Sequence, residues 1–375
     1  MANSISTMGQ ALDQISRLKT QQRSMDLLTT QLNTQKKTQR FSGLGAEVII
    51  SKRSRANISA LDTYINNIKN VDRRITLMGN SLAQIKQQGQ SVLADLQSAL
   101  EKGTYPDLKV IQDNAAAALD YIIDLVNTQD GDRYLFSGAD SETRPLTKTA
   151  MMDSILGGFV GDDTDVANPP LSASGLIGQW GEGLISTQEF IASYKAISDT
   201  AMGYSNALTS GTAGNVYARV SDQTQMDYTV HGNSEGIQDI IRVLSVLKSL
   251  PLPEHAPGAL NDPAVTNPAD DLPPFPSSEK QDNFFAVIKD LSQTLNGAVK
   301  KIDQESYKLV HAQSRIDQVK NNHIQDSNTL KSIVSDVEDA DTTEVAARIR
   351  QLEIQMEASY SVTALVSNLS LVKFL

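Results

Sequence analysis

The residue types that most often perform chemistry are few and scattered in this sequence. The four histidines, His231, His255, His311 and His323, lack the short spacing of metal ligands, so they predict no metal site. No serine, histidine and aspartate occur in the sequence context of a nucleophilic triad. The chain has no cysteine, which excludes disulfides and thiolate chemistry. We therefore expect a protein that is not an enzyme and that holds no cofactor.

Two short motifs have superficial similarity to ligand-binding loops. Residues Gly161–Asp165 read Gly-Asp-Asp-Thr-Asp, but the segment lacks the glycine and the final glutamate of an EF-hand calcium loop. We interpret it as an acidic surface turn. Gly43-Leu44-Gly45 has no third glycine, no following Lys-Ser/Thr and no preceding strand, so it is not a phosphate loop.

Composition indicates an extended helical protein. The 375 residues allow two or three domains, and aromatic residues make up only 5% of them, with one tryptophan. The net charge is −11 and no Lys/Arg cluster stands out, so we expect no nucleic-acid partner. No apolar run of about 18 residues occurs, so we expect no membrane insertion. Residues 1–19 are polar and amphipathic without an apolar core region, which predicts export without a cleaved signal peptide.

The apolar residues of both chain ends recur in steps of three and four, as in coiled coils. Near the N-terminus this narrow seam includes Met8, Ile15, Leu18, Met25 and Leu32. A break at 41–45 precedes a second helical pattern from Ile58 to Leu96, which ends near Gly103, and a shorter helix is predicted over 108–125.

The C-terminal part has the same pattern. From Phe284 to Val337 one seam predicts a helix on the order of 80 Å long, which must lie along other helices. Asp341 and Glu344 then form a capping-box signature. The last helix has apolar residues in a seam that shifts by one residue at Ala358 and runs on to the end: Val345, Ile349, Leu352, Met356, Val362, Leu365, Leu369 and Leu375.

The middle of the chain is different in character. Asp130-Gly131 predicts a β-hairpin that continues to Gly138, and alternation over 216–220 and 226–230 predicts a second hairpin. Ser186 and Glu189 predict a capped short helix, and 234–250 predicts another helix. Residues 251–278 hold most of the twelve prolines and predict a loop or linker.

Both helical ends, roughly 1–145 and 280–375, resemble the flagellin family. Leu32–Lys37 is similar to the family's Leu-Ser-Thr-Gly-Lys/Arg turn, with Gln35 in place of the usual glycine. Phe41–Gly45 resembles a divergent alphaproteobacterial flagellin. Gly131–Gly138 is similar to a hairpin of hook–filament junction proteins, also called hook-associated protein 3. The ending Ala358–Leu375 resembles the termini of both subtypes.

The resemblance implies a mostly α-helical fold with long terminal helices in a coiled-coil bundle and a small α+β insertion. It implies a terminal assembly domain of residues 1–45 and 341–375, a helical-bundle inner domain of 46–145 and 279–340, and an outward-facing insertion of 146–278. It also implies an extracellular flagellar subunit that is exported through the type III channel. Its partners would be further copies of itself, hook-associated and cap proteins, and an export chaperone.

The seams themselves require partner helices, which the two ends and neighbouring copies can supply. We predict an assembly interface of twelve residues: Met8, Ile15, Leu18, Met25, Leu32, Ile349, Leu352, Met356, Val362, Leu365, Leu369 and Leu375. Within the resembling family, Ser42–Gly45 favours a filament flagellin that self-assembles and contributes to motility, and the hook–filament junction protein is the alternative. The hypotheses outside this family are a monomeric coiled-coil binding module, an ordinary intramolecular bundle and an enzyme within residues 140–280.

Overall fold

A computed structural model describes residues 2–102, 108–148, 150–157, 175–181, 184–250 and 278–372. For Met8, Leu365 and Leu369 it describes the backbone alone. The predicted acidic turn at 161–165, the proline-rich segment over 251–277, the helix end at Gly103 and the residue Leu375 lie outside the described residues.

Long helices occupy both ends of the chain, as the apolar spacing predicts. The helices run over α1 (Ala2–Thr34), α2 (Val48–Lys102), α3 (Leu108–Val126), α4 (Ala150–Leu156), α5 (Leu176–Gly181), α6 (Thr187–Lys195), α7 (Asp199–Met202), α8 (Asn206–Thr209), α9 (Glu235–Ser249), α10 (Ser278–Glu338) and α11 (Thr342–Val372). A 3₁₀ turn over Phe41–Glu47 separates α1 from α2. The mostly helical fold with a small strand-containing middle is confirmed.

Two antiparallel hairpins are the β-structure among the described residues. Strands β1 (Gln129–Asp130) and β2 (Arg133–Tyr134) form one, and β3 (Tyr217–Arg219) and β4 (Gln225–Asp227) form the other. Turn residues and alternation predict both. In the second hairpin Ala218 pairs with Met226, and both side chains are buried while their strand neighbours are exposed.

The chain divides into two compact units. The terminal unit comprises Met1–Ile65 and Asn321–Leu375, and the central unit comprises Asn66–Lys320. Both α2 and α10 therefore contribute to each unit. The three-part division inferred from the family resemblance stays a prediction.

The central unit has an extensive hydrophobic core. Helices α3 and α9 pack together, and the core joins them to α2 and α10 through fully buried side chains such as Leu82, Ile122, Leu244 and Leu295. The start of α9 comes especially close to α10. A Cβ on Gly236 would lie 3.0 Å from the carbonyl oxygen of Ala298, so a side chain there would push the helices apart.

The first hairpin is fixed to α2 by its acidic turn residue. The Asp130 carboxylate accepts two hydrogen bonds of 3.0 Å from Arg73 and one of 3.0 Å from Arg74. These bonds, chiefly those from Arg73, hold the pKa of Asp130 below its usual range. Gly131 follows with φ +65°, the left-handed conformation that a two-residue turn requires.

The predicted capping signatures are correct in one case and half correct in the other. Ser186 and Glu189 exchange both bonds of a capping box at the start of α6. At α11 the Asp341 carboxylate accepts from the backbone N–H groups of Thr343 and Glu344, at 2.8 and 3.1 Å. The Glu344 side chain instead receives a hydrogen bond from Arg348 at 2.5 Å, so the reciprocal half of that box is absent.

The connection after α1 contains a strained residue. Gln35 has φ +56° and is the non-glycine residue with positive φ among those described. Its carbonyl oxygen accepts a hydrogen bond of 2.9 Å from the N–H of Ala340, which holds this conformation. Left-handed φ costs an L-residue roughly 1–2 kcal/mol, a cost that glycine does not have.

Replacing Gln35 with glycine should stabilise this connection. We expect Gln35→Gly to raise the free energy of local opening by about 0.5 kcal/mol, because relief of the left-handed cost exceeds the added chain entropy. Slower amide hydrogen exchange at Ala340 would report the gain. Gln35→Ala keeps the strain and is the matched control, and an equal response of the two variants would contradict the explanation.

Candidate assembly interface

Helices α1 and α11 pack along each other within the terminal unit. On α1 the least exposed positions recur in steps of three and four: Gln14, Leu18, Gln21, Met25, Leu28 and Gln31. On α11 they are Val345, Ile349, Leu352, Met356, Ser359 and Thr363. We call these two rows the seam. The coiled-coil spacing of the prediction is present, but polar residues occupy nearly half of the seam.

The seam buries few side chains completely. Among the described side chains of α1 none is fully buried, and on α11 Val345 alone is, at 5% exposure. The side-chain oxygen of Gln21 is shielded from solvent and has no hydrogen-bond partner, which is unfavourable. The α1–α11 pair is therefore held together weakly compared with the core of the central unit.

Each of the two helices keeps further apolar side chains outside the seam. On α1 Leu12, Ile15 and Leu27 are 57–60% exposed, and on α11 Ile354 and Val362 are 68% and 49% exposed. At about 100° per residue these positions lie about 100° or more around each helix from its seam. We call these five residues the outer apolar face. A single chain leaves this face in water.

The predicted interface residues therefore fall on two different surfaces. Leu18, Met25, Ile349, Leu352 and Met356 lie in the seam. Ile15 and Val362 lie on the outer apolar face, and Leu32, at 37% exposure, lies at the end of α1. The sequence reasoning missed Leu12, Leu27 and Ile354, because it followed one apolar stripe on each helix. The one-residue shift of the apolar spacing at Ala358 indicated that α11 has apolar residues on a second side.

A buried carboxylate fixes the point where the two ends of the chain meet. Glu338, the last residue of α10, is 7% exposed and accepts bonds of 2.6 Å from the Ser51 hydroxyl and 2.8 and 2.6 Å from Arg55. Lys36 pairs with Glu338 at 3.4 Å and also with Asp339. The backbone N–H of Lys37 donates to the Glu338 carbonyl oxygen at 2.7 Å. These bonds tie the α1–α2 connection and the start of α2 to the α10–α11 connection.

The donors around Glu338 keep it ionised. The hydrogen bonds from Arg55, followed by those from Ser51 and Lys36, lower its pKa from 4.5 to about 2. A carboxylate with a lowered folded-state pKa stabilises the fold above its unfolded pKa and loses that effect as it is protonated. The contribution of Glu338 is thus present above pH 4.5 and disappears as the pH falls towards 2.

The residues that could ligate a metal ion are dispersed in the part of the chain that the structure describes. There, no group of three or more histidine, aspartate or glutamate side chains is placed to hold a metal ion. The Nε2 atom of His231 donates to the Gly214 carbonyl oxygen at 3.0 Å, and the His323 ring packs against Tyr64. No described helix is both long and apolar enough to cross a membrane.

Residues 292–375 match the family model of the bacterial flagellin C-terminal helical region. Among solved structures, a Vibrio parahaemolyticus protein provisionally named a flagellar hook-associated protein is 12% identical, with a TM-score of 0.42. The similarity covers 78% of this chain and 97% of that chain, and at this TM-score it supports no further argument. No curated protein matches this sequence.

Two paired terminal helices with an uncovered outer apolar face are typical of structural proteins that assemble through coiled coils. The matched region contains most of α10 and all of α11, and over this region the chain is similar to the flagellin family. Members of the family are structural proteins of the extracellular flagellum that self-assemble and associate with other axial proteins.

Removing the charge of Glu338 should weaken the terminal unit. We expect Glu338→Gln to lower its free energy of unfolding by about 2 kcal/mol at pH 7, a value reduced from the full pKa effect because Lys36 and Arg55 are half exposed. The variant should also lose the wild-type decline in stability between pH 4.5 and about 2. Amide exchange at Lys37 and thermal unfolding as a function of pH measure both effects.

Glu344→Gln is the matched control, because Glu344 forms an exposed ion pair with Arg348 on the same unit. Its effect should stay below about 0.5 kcal/mol. Equal behaviour of the two variants would show that the buried carboxylate has no special role.

Proposed function

We propose that this chain is a self-assembling subunit of the bacterial flagellar filament, a flagellin, and that it contributes to motility without enzymatic activity. The observation that carries the proposal is the outer apolar face of α1 and α11, which one chain leaves uncovered. Export through the flagellar type III channel with the help of a chaperone is part of the proposal. So is contact with hook-associated and cap proteins.

The weakness of the seam supports assembly-driven ordering of the chain ends. A helix pair gains most of its stability from packing, and here nearly half of the seam positions are polar. The unpartnered oxygen of Gln21 reduces the gain further. In the proposal α1 and α11 are marginal in a free subunit and become stable when neighbouring copies cover them.

Covering the outer apolar face supplies the driving force. Burial of apolar surface yields roughly 25 cal/mol per Å², so a half-exposed valine or leucine contributes about 1 kcal/mol when it is covered. Both α1 and α11 carry residues of the outer apolar face. Covering these residues therefore contributes to the free energy of adding each subunit.

The arrangement of the faces favours an open assembly. The seam and the outer apolar face are different surfaces, and contacts between unlike surfaces produce helical filaments when the rotation does not close. In this scheme residues 1–45 and 341–375 form the innermost layer, and residues 146–278 face outward. All twelve predicted interface residues keep their proposed roles, including Met8, Leu365, Leu369 and Leu375.

A charge on the outer apolar face should block polymerisation and leave the free subunit intact. We expect Val362→Asp to raise the critical concentration for polymerisation at least about tenfold, because a carboxylate would have to be desolvated in the contact. Sedimentation and electron microscopy after seeding measure this. Thermal unfolding of the free protein should change by less than about 0.5 kcal/mol, because Val362 is already exposed.

Val362→Leu is the matched control, since it keeps an apolar side chain and should polymerise as the wild type does. Normal filament formation by Val362→Asp would contradict the proposed role of the outer apolar face. Wild-type protein that stays monomeric after seeding would contradict the proposed function as a whole and would favour a monomeric coiled-coil module.

Circular dichroism should detect ordering of the chain ends. We expect a larger helical signal per residue in the polymer than in the free subunit, since α1 and α11 hold 33 and 31 helical residues. Equal helicity of the two states, with protected amides along α1 in the free subunit, would contradict coupled ordering and assembly.

The hook–filament junction protein is the second candidate within the same family. It is favoured by Gly131–Gly138, which forms the predicted hairpin and the turn after it. Phe41–Gly45 favours the filament flagellin. Copy number per cell separates the two functions, since a filament requires thousands of subunits and a junction about a dozen.

A further inference from the structure

A basic groove lies between the end of α1 and the connection that follows it. It has a volume of about 450 Å³ and is lined by the basic residues Arg23, Lys36, Lys37 and Arg40, the apolar Leu27, the acidic Asp26 and further small or polar residues. We call this surface the basic groove. Its floor is shaped by a tight turn in which the N–H of Gly43 donates to the Arg40 carbonyl oxygen at 2.9 Å.

Positive charge is concentrated around the basic groove, although the protein as a whole is acidic. Residues 14–60 contain nine lysines and arginines and two acidic residues, whereas the whole chain has 33 basic and 44 acidic residues. Apart from the pairs Lys36-Lys37 and Lys52-Arg53, these basic residues are separated in the sequence, which is why no Lys/Arg cluster was predicted. The turn between α1 and α2 brings several of them together.

Part of this charge is already neutralised and part is not. Lys36 and Arg55 are paired with Glu338 and Asp339. Arg23 and Arg40 are exposed and form no ion pair with any described residue. The two arginines therefore give the groove a positive rim that is available to an anionic partner.

A matching acidic surface lies on α11 of the same chain. Glu353 and Glu357 are four residues apart on one side of the helix, both are exposed, and neither forms an ion pair with a described residue. Like charges at this spacing repel each other, so an opposite charge placed between them would reduce the repulsion. Ile354, which is 68% exposed, lies beside Glu353. Glu344, by contrast, is already paired with Arg348.

We propose that the basic groove of one subunit receives the Glu353–Glu357 side of α11 from a second copy of this chain. Arg23 and Arg40 would pair with the two carboxylates, and the exposed Leu27 in the groove would contact Ile354. The contact joins unlike surfaces, so it extends from copy to copy and does not close on a dimer. The inference rests on the proposed function and names one polar contact of that assembly.

The charge pattern gives the contact direction and register as well as attraction. Complementary charges steer encounter and penalise wrong pairings, whereas apolar faces alone would permit sliding along the helix axis. Within one subunit the seam aligns α1 with α11, and Arg23 and Glu353 form no ion pair there. A neighbouring copy is therefore the partner that fits both unpaired surfaces.

Charge reversal on the full-length protein tests the inference. Arg23→Glu with Arg40→Glu, and separately Glu353→Lys with Glu357→Lys, should each raise the critical concentration for polymerisation at least about tenfold, since like charges would then face each other. Mixing the two variants in equal amounts should restore it to within about threefold of wild type, because each reversed surface then meets a complementary one. The chain carrying all four substitutions should polymerise alone.

Lys289→Glu with Lys300→Glu provides a control for net charge, since both lysines are exposed on α10 in the central unit. It should not respond to mixing with the Glu353/Glu357 variant. Unchanged thermal unfolding of the central unit would show that the central unit of every variant folds, and recovery of polymerisation on mixing would show that the substituted ends remain competent to assemble. Polymerisation of the single-surface variants like wild type, or failure of both the mixture and the fourfold variant, would overturn the inference while the proposed function stands. Absence of wild-type polymerisation would overturn both.

Discussion

A helix with apolar side chains on two sides can cover only one of them by pairing with a single partner helix. This constraint governs α1 and α11. Their mutual contact shelters Leu18, Met25 and Leu352 incompletely and leaves Ile15 and Val362 in water. These exposed apolar side chains support the proposed assembly interface, in which neighbouring copies would cover them.

The central unit shows what a self-sufficient fold in the same chain requires. Its core residues, such as Leu82, Ile122 and Leu244, have no exposed surface, and helix α9 packs on α3 with apolar side chains throughout the contact. Side-chain ion pairs such as Lys86 with Asp303, at 2.6 Å, lie at the margin of this core. The central unit therefore covers most of its apolar core side chains within the chain, whereas α1 and α11 leave several apolar side chains exposed.

The fold was largely predictable because helical spacing and turn residues are local signals. The seam from Phe284 to Val337 predicts α10, and Asp130-Gly131 predicts the first hairpin. The tie at Glu338 was not predictable, because its partners Ser51 and Arg55 lie far away in the sequence and no periodicity connects them. The second apolar stripe was missed for a related reason, since a single-seam interpretation assigns each helix one face. Contacts between residues that are far apart in the chain cannot be predicted from the local pattern of one sequence.

The contact between Ser51 and Glu338 spans 287 positions of the chain. Closing a loop of that size costs about 5 kcal/mol of chain entropy, and contacts of such separation form late in folding. A polypeptide that emerges from one end first cannot make this bond until nearly all of it has arrived. The bond that joins the two ends of the chain therefore forms only after the regions that it connects have both been made.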